Sequence, residues 1–195
     1  TNGGTQNYNG LLLSIQRRAA KGVTVSANYT LSHCISDWWN TTANSGSGNT
    51  GFTNPDNRRF DRGNCTSSAT DRRHIFNLSA VAETPRFNNN VLRAIGSNWR
   101  VSPIFKILSG SYMSITTSSD IVLSGIAGQR VNQILDSPYG AKTVKNYLNP
   151  SAFALPATGT LGNLGASNIA GPGTWQFDMA LSRTFQVREK QRIEF

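Results

Sequence analysis

Val23-Thr24-Val25-Ser26-Ala27-Asn28-Tyr29-Thr30-Leu31-Ser32-His33-Cys34-Ile35 is the stretch whose reading decides the fold. Odd positions run Val, Val, Ala, Tyr, Leu, His, Ile, and even positions run Thr, Ser, Asn, Thr, Ser, Cys. Successive side chains of an extended backbone point to opposite sides, so strict alternation predicts a strand with two unlike faces. An ordinary soluble strand has about five or six residues, whereas a tilted membrane strand needs roughly nine to eleven. The length of the run therefore favours a strand that crosses a bilayer, with its odd side toward lipid and its small polar side toward a lumen.

Working outward, Tyr8 to Arg17 alternates Leu11, Leu13 and Ile15 against Leu12, Ser14 and Gln16, and it joins the first run through a tight hairpin at Arg18–Gly22. Ser36 to Thr70 is rich in Asn, Gly, Ser and Thr, has no periodic face and reads as a long loop. A third strand begins near Asp71, carries Phe76, Leu78, Ala80 and Ala82 on one side, and ends at Thr84-Pro85. After a moderate connector, Arg86 to Ser97, a fourth places Trp99, Val101, Pro103, Phe105 and Ile107 together, with a bulge expected near Pro103. Positions 118–173 are irregular and read as a second long loop. A fifth strand sets Trp175, Phe177, Met179, Leu181 and Phe185 opposite Gln176, Asp178, Ala180, Ser182 and Thr184, and a turn near Val187–Lys190 opens a sixth.

The expected fold is all-β: about six long antiparallel strands in up-and-down order, from a transmembrane β-barrel and forming an open curved sheet. Residues 1–195 would be one partial barrel domain, cut at both ends, with no separate second domain. Its lipid-facing side would hold Leu11, Leu13, Ile15, Val23, Val25, Ala27, Tyr29, Leu31, Phe76, Leu78, Trp175, Phe177, Met179 and Leu181. Connectors alternate short, long, moderate, long, short, which places 36–70 and 118–173 outside the cell and the others in the periplasm. Trp38, Trp39, Phe76 and Trp175 then form an outer aromatic girdle, with Trp99, Phe185 and Phe195 forming an inner one.

Composition narrows the function classes. Apolar residues are 37% and charged residues 15% of the chain, fewer of both than a soluble domain carries. No apolar stretch reaches the roughly 18 residues that a spanning helix requires. The net charge of +9 suits a phosphate-bearing partner, but the basic residues fall in small scattered groups without a nucleic-acid-binding motif, so no nucleic-acid partner is expected. Arg58, Arg59, Asp61, Arg62, Asp71, Arg72 and Arg73 are candidates for a charged cluster at the outer rim, with an ion-pair network that orders the long loop as its simplest role, and ligand binding or contact with lipopolysaccharide phosphates as the others. Cys34 and Cys65 fit a single disulfide in an oxidising compartment; a catalytic thiol near His33 or His74 is the alternative, and zinc lacks any short ligand pair. Neither a catalytic constellation nor a cofactor motif is visible, and the chain reads as no enzyme.

Several segments resemble a known family. Tyr8-Asn9-Gly10-Leu11, Arg17-Arg18, Ala27 through Asp37, Asp61-Arg62-Gly63-Asn64-Cys65 and Asp71-Arg72-Arg73-His74 look like the Oar-like β-barrel of TonB-dependent receptors. So do Tyr147-Leu148-Asn149-Pro150 with Ala152-Phe153-Ala154, Gly159-Thr160-Leu161-Gly162-Asn163, Gly171-Pro172-Gly173 and the strand Asp178–Phe185. The resemblance implies an outer-membrane location, a barrel of about twenty-two strands around a plug, and uptake of a ligand powered by the TonB energy-transducing complex acting on that plug. The chain resembles a late, plug-less portion of such a barrel, with outer-membrane lipid as its other partner. The competing reading is a secreted or surface β-sandwich adhesin that binds glycans through its Asn- and Trp-rich loops.

Overall fold

The computed structural model describes residues 4–20, 22–37, 53–54, 56–65, 71–125, 128–188 and 191–195. Six strands follow one another in space as they do in sequence: β1 (Gln6–Ala20), β2 (Val23–Ser36), β3 (His74–Glu83), β4 (Trp99–Leu108), β5 (Thr174–Arg188) and β6 (Gln191–Glu194). The pairing of β2 through β6 is antiparallel at every step, and the sheet is open, with β1 and β6 at its edges. A short antiparallel piece, Gly63–Asn64, adds to the end of β2. The β1–β2 turn is as tight as expected, with Gly22 at a φ of +78°, a left-handed conformation that disfavours a side chain.

Where a bulge was expected at Pro103, the structure shows none. The β4–β5 register runs unshifted through Pro103 opposite Met179. Toward β3 the register is also unshifted, and its ladder has a gap between Ile104↔Ser79 and Val101↔Ala82. Proline lacks an N–H, and a missing donor can open a ladder on one side without displacing the strand. The irregularity lies elsewhere, between Gln186 and Arg188 where β5 meets β6.

Chain contacts divide the molecule into two compact units. A sheet unit comprises Leu11–Leu31, His74–Leu108 and Thr174–Phe195, and a loop unit comprises Thr1–Gly10, Ser32–Arg73 and Ser109–Gly173. The loop unit is not the irregular coil that its composition suggests. Two-residue ladders join Tyr112–Met113 to Ile169–Ala170 and Asn132–Gln133 to Phe153–Ala154, and Tyr139–Thr143 forms a hairpin with Asn146–Leu148. Val131, Leu164 and Ile169 are buried at its centre, with Met113, Ile115, Tyr139, Leu148 and Phe153 packed on them. The Tyr139 and Tyr147 hydroxyls both bond the Ala170 peptide, at 3.0 to 3.3 Å. In the sheet unit, the moderate connector Arg86 to Ser97 contains a helix, α1 (Asn90–Gly96). Of the described residues, no helix is long and apolar enough to cross a membrane, which leaves spanning strands untouched.

Trp38, Trp39, most of the 36–70 loop and the tip of the last turn, at 189–190, lie outside the described residues.

Candidate functional site

Register decides what each face of the sheet presents. Tyr29, Phe76, Ile107 and Trp175 stand side by side across four strands, as do Ala27, Leu78, Phe105 and Phe177, and Val23, Ala82, Val101 and Leu181. All of these belong to one face. Leu11, Leu13 and Ile15 of β1, together with Trp175, Phe177, Met179 and Leu181 of β5, are exposed; Val25, Ala27, Tyr29, Phe76 and Leu78 are half-buried by their neighbours. Aromatic residues stand at both ends of this face. Phe76 and Trp175 share the last full row at one end, and Trp99 and an edge-on Phe185–Phe195 pair stand at the other.

The opposite face carries Asn28, Asn77, Lys106 and Gln176 in one row and Ser26, Ser79, Ile104 and Asp178 in the next. Ser14 donates to the Asn28 side chain at 2.8 Å, which places the even residues of β1 on this polar side. Gln176 donates to Asp178 at 2.7 Å. The face is a field of amides, hydroxyls and charges of both signs, Lys106 and Arg100 with Asp178 and Glu83, interrupted by Ile75, Val81, Ile104 and Leu108.

The loop unit is held by a buried cation. Arg130, whose side chain is 1% exposed, donates through Nη1 to Asp61 at 2.8 Å, through Nη2 to the Phe60 carbonyl at 2.7 Å, and through Nε to the Leu164 carbonyl at 2.9 Å. Its guanidinium also lies 4.3 Å from the centre of the Phe60 ring. The second Asp61 oxygen accepts from the Thr53 N–H at 2.6 Å. One side chain therefore gathers three separate stretches of chain, with each of its three nitrogens donating. A disulfide works beside it: Cys34 and Cys65 are bonded, 31 residues apart in sequence, with Cα atoms 5.4 Å apart. Closing a loop of that length removes roughly 3 to 4 kcal/mol of freedom from the unfolded chain in the entropy account. Asn64, next to Cys65, bridges onward by donating to the Ser167 carbonyl at 3.0 Å, and a side chain at Gly63 would collide with the Ala166 carbonyl. An open cavity of 440 Å³, lined by Gln133, Ile134, Leu135, Asp136, Asn163, Leu164, Gly165 and Asn168, lies in the same unit.

A spanning register with one apolar and one polar face has a counterpart among known families: the model of the outer membrane β-barrel domain matches residues 1–195. The chain belongs to that outer-membrane β-barrel family. No curated protein and no solved structure matches it. In such a barrel the charged residues singled out from sequence occupy different roles. The described ion pairs are Arg58–Asp37 at 3.2 Å, Arg130–Asp61 at 2.8 Å and Arg100–Glu83 at 4.0 Å, so none joins two of the seven expected rim residues. Arg72 donates to the Ser109 carbonyl at 2.6 Å, and Arg73 to Tyr112 at 3.2 Å and Asn64 at 3.4 Å. Arg59 and Arg62 are exposed. Loop order in this barrel chain thus comes from arginines bonding to carbonyls and amides as much as from opposite charges. Asp37 and Arg130 escaped the sequence reading because each sits alone in a stretch without periodicity, where nothing local marks a partner far along the chain.

Asp37, Asp71 and Asp120 of the barrel's loop unit have displaced acidity. The Thr5 N–H bonds Asp37 at 2.5 Å and, aided by Arg58, holds that carboxyl below its ordinary 3.8. Asp71 is fully buried, neither oxygen has a hydrogen bond of ordinary geometry, and burial raises its acidity constant above 3.8 despite the Cys34 backbone and the charges of Arg73 and His33. A folded-state value above the unfolded one stabilises the fold fully below pH 3.8, and that contribution is lost as pH rises through the folded value. Asp71→Asn is therefore expected to stabilise the loop unit at pH 7, with the gain fading as pH falls through the raised folded value and gone below 3.8; hydrogen exchange of the loop amides across that range reads it, and a loss of protection at pH 7 contradicts it. Arg130→Met leaves Asp61 charged and unpaired, and is expected to cost about 3–5 kcal/mol of local stability, whereas Arg130→Met with Asp61→Leu costs less. Limited proteolysis of the loop unit measures both, and equal losses would refute the pairing argument.

Proposed function

We propose that the chain forms part of the wall of an outer-membrane transporter of the TonB-dependent kind, with its apolar face against lipid and its polar face toward the lumen. The observation that carries the wall is the register: apolar side chains of β2, β3, β4 and β5 fall in common rows, and the outer ones are uncovered. A β-sandwich adhesin needs a second sheet over that face. In the sheet unit, Trp175 is 73% and Met179 60% exposed, a band that water would drive into aggregation and lipid would satisfy. Six strands fall below the about eight that close the smallest barrel, so the edges of β1 and β6 suit further wall strands.

The transport reading draws on other support. The resemblance of the Tyr8–Leu11, Ala27–Asp37 and Asp71–His74 segments to Oar-like receptors points to uptake coupled to a TonB energy-transducing complex. Long outer connectors that fold and are cross-linked suit ligand contact better than bare coil does. Asn28, Asn77, Lys106 and Gln176 would border the path of the ligand around a plug.

Leu181 stands mid-way along β5 on the apolar face, next to Ala180 on the polar one. Leu181→Arg is expected to cost about 2–4 kcal/mol of folding stability in lipid, and Ala180→Arg far less. Denaturant titration of the whole protein in vesicles measures the pair, and equal costs would reject two unlike faces. Coupling is tested by capture of the whole folded protein on the immobilised periplasmic domain of the energy transducer. Binding supports TonB dependence, and its absence with a correctly folded barrel removes that assignment while leaving the wall intact.

A further inference from the structure

The link from β3 to β4 contains more than a turn. Asn89 starts α1 by accepting, on its side-chain oxygen, the N–H groups of Val91 at 2.9 Å and Leu92 at 3.3 Å. The other end of the helix is closed by side chains from the sheet. Trp99 donates through Nε1 to the Ile95 carbonyl at 2.6 Å, and the Arg183 guanidinium donates to the Ala94 carbonyl. These two residues are direct register partners on the apolar face, in line with Val101 and Leu181. Arg183 further lies 5.3 Å from the Trp99 ring centre and 4.7 Å from that of Phe185. The orphan carbonyls at the helix C-terminus are thus tied to the apolar side of the wall, at its Trp99–Phe185 end.

The exposed residues of α1 fit that position. Val91, Leu92 and Ile95 are 65%, 54% and 66% exposed, and spacings of three and four residues set them on one side of the helix. Asn90 and Arg93 take another side, where Arg93 donates to Asn90 at 2.9 Å. In water this apolar face is a liability. Beside a lipid-facing wall it continues the same surface.

We infer that α1 is an interfacial helix that docks on phospholipid: Val91, Leu92 and Ile95 enter the boundary between head groups and acyl chains of the leaflet bordering the Trp99–Phe185 end of the wall, while Arg86 and Arg93 meet anionic head groups. An amphipathic helix with apolar residues on one side and arginine on the other takes this position at a membrane surface, and indole and guanidinium groups take the matching level at the ends of spanning strands. A plug or lumenal ligand is disfavoured as the occupant because the ties of α1 run to the apolar face. The inference rests on the lipid-facing reading of that face.

The test uses the whole protein in isolated outer membranes, with single added cysteines at Val91, Ile95, Asn90 and Met179, each spin-labelled while Cys34–Cys65 stays oxidised. All four positions are exposed, so the labels displace no packing. Collision with oxygen and with a water-soluble nickel chelate is then compared. Labels at 91 and 95 are expected to meet the chelate several-fold less often than the label at 90, and to lie shallower than the label at 179. If 179 is in lipid but 91 and 95 are as wet as 90, the interfacial helix is overturned and the wall reading stands. If 91 and 95 are shielded from both colliders, protein covers them, and the lipid assignment is likewise overturned. A wet label at 179 overturns the underlying reading itself.

Discussion

A bilayer interior offers no hydrogen-bond partner to a peptide group, so every N–H and C=O that enters it must be satisfied by the neighbouring strand. For this chain that demand fixes the register, and the register fixes the rest. Once Ala27 is opposite Leu78, Leu78 opposite Phe105, and Phe105 opposite Phe177, each flanking pair follows with a period of two. A slip of one residue in β4 alone would turn Phe105 and Ile107 to the polar side and bring Lys106 to the apolar side, at a cost set by the desolvation of its charge. Alternation within strands and alignment between strands therefore enforce one another. This is also why Pro103 is tolerated: its missing donor weakens one ladder, but the row positions of its neighbours are unchanged.

The loop unit solves a different problem. It has few apolar residues for the length of chain it orders, and its buried apolar centre is small. What it adds is directional bonding. Arg130 serves a carboxylate and two carbonyls at once, Asn64 links the disulfide region to Ser167, and two tyrosine hydroxyls share the Ala170 peptide. Breaking such a network in one place leaves buried groups unpaired, so its members act as a set and not as independent contributions. Asp71 is the exception within it, a buried carboxyl without a bonded partner of ordinary geometry whose ionisation works against the fold. The energetic price of that charge is one the disulfide and the arginine clasp must offset.

Sequence alone determined the six strands, their order and their two faces. Each strand's alternation is written in adjacent residues, and short, long and moderate connectors specify an up-and-down path. The strand ends were legible within a few residues, from Gly22 at the first turn to Thr84-Pro85 after β3. The cysteine pair was legible too, because two thiols in so sparse a background leave few alternatives.

What only the tertiary structure decided lies where no local period exists. The loop unit's core of Val131, Leu164 and Ile169, the Arg130–Asp61 clasp across 69 positions, and the pinning of α1 by Trp99 and Arg183 all join residues whose immediate neighbours give no hint of a partner. The physical reason is one of range. Alternation is a property of the backbone at two-residue spacing, so it can be read from the chain itself; a buried arginine or a capped helix end depends on which distant carbonyl the completed fold brings within three ångströms, roughly the length of a hydrogen bond.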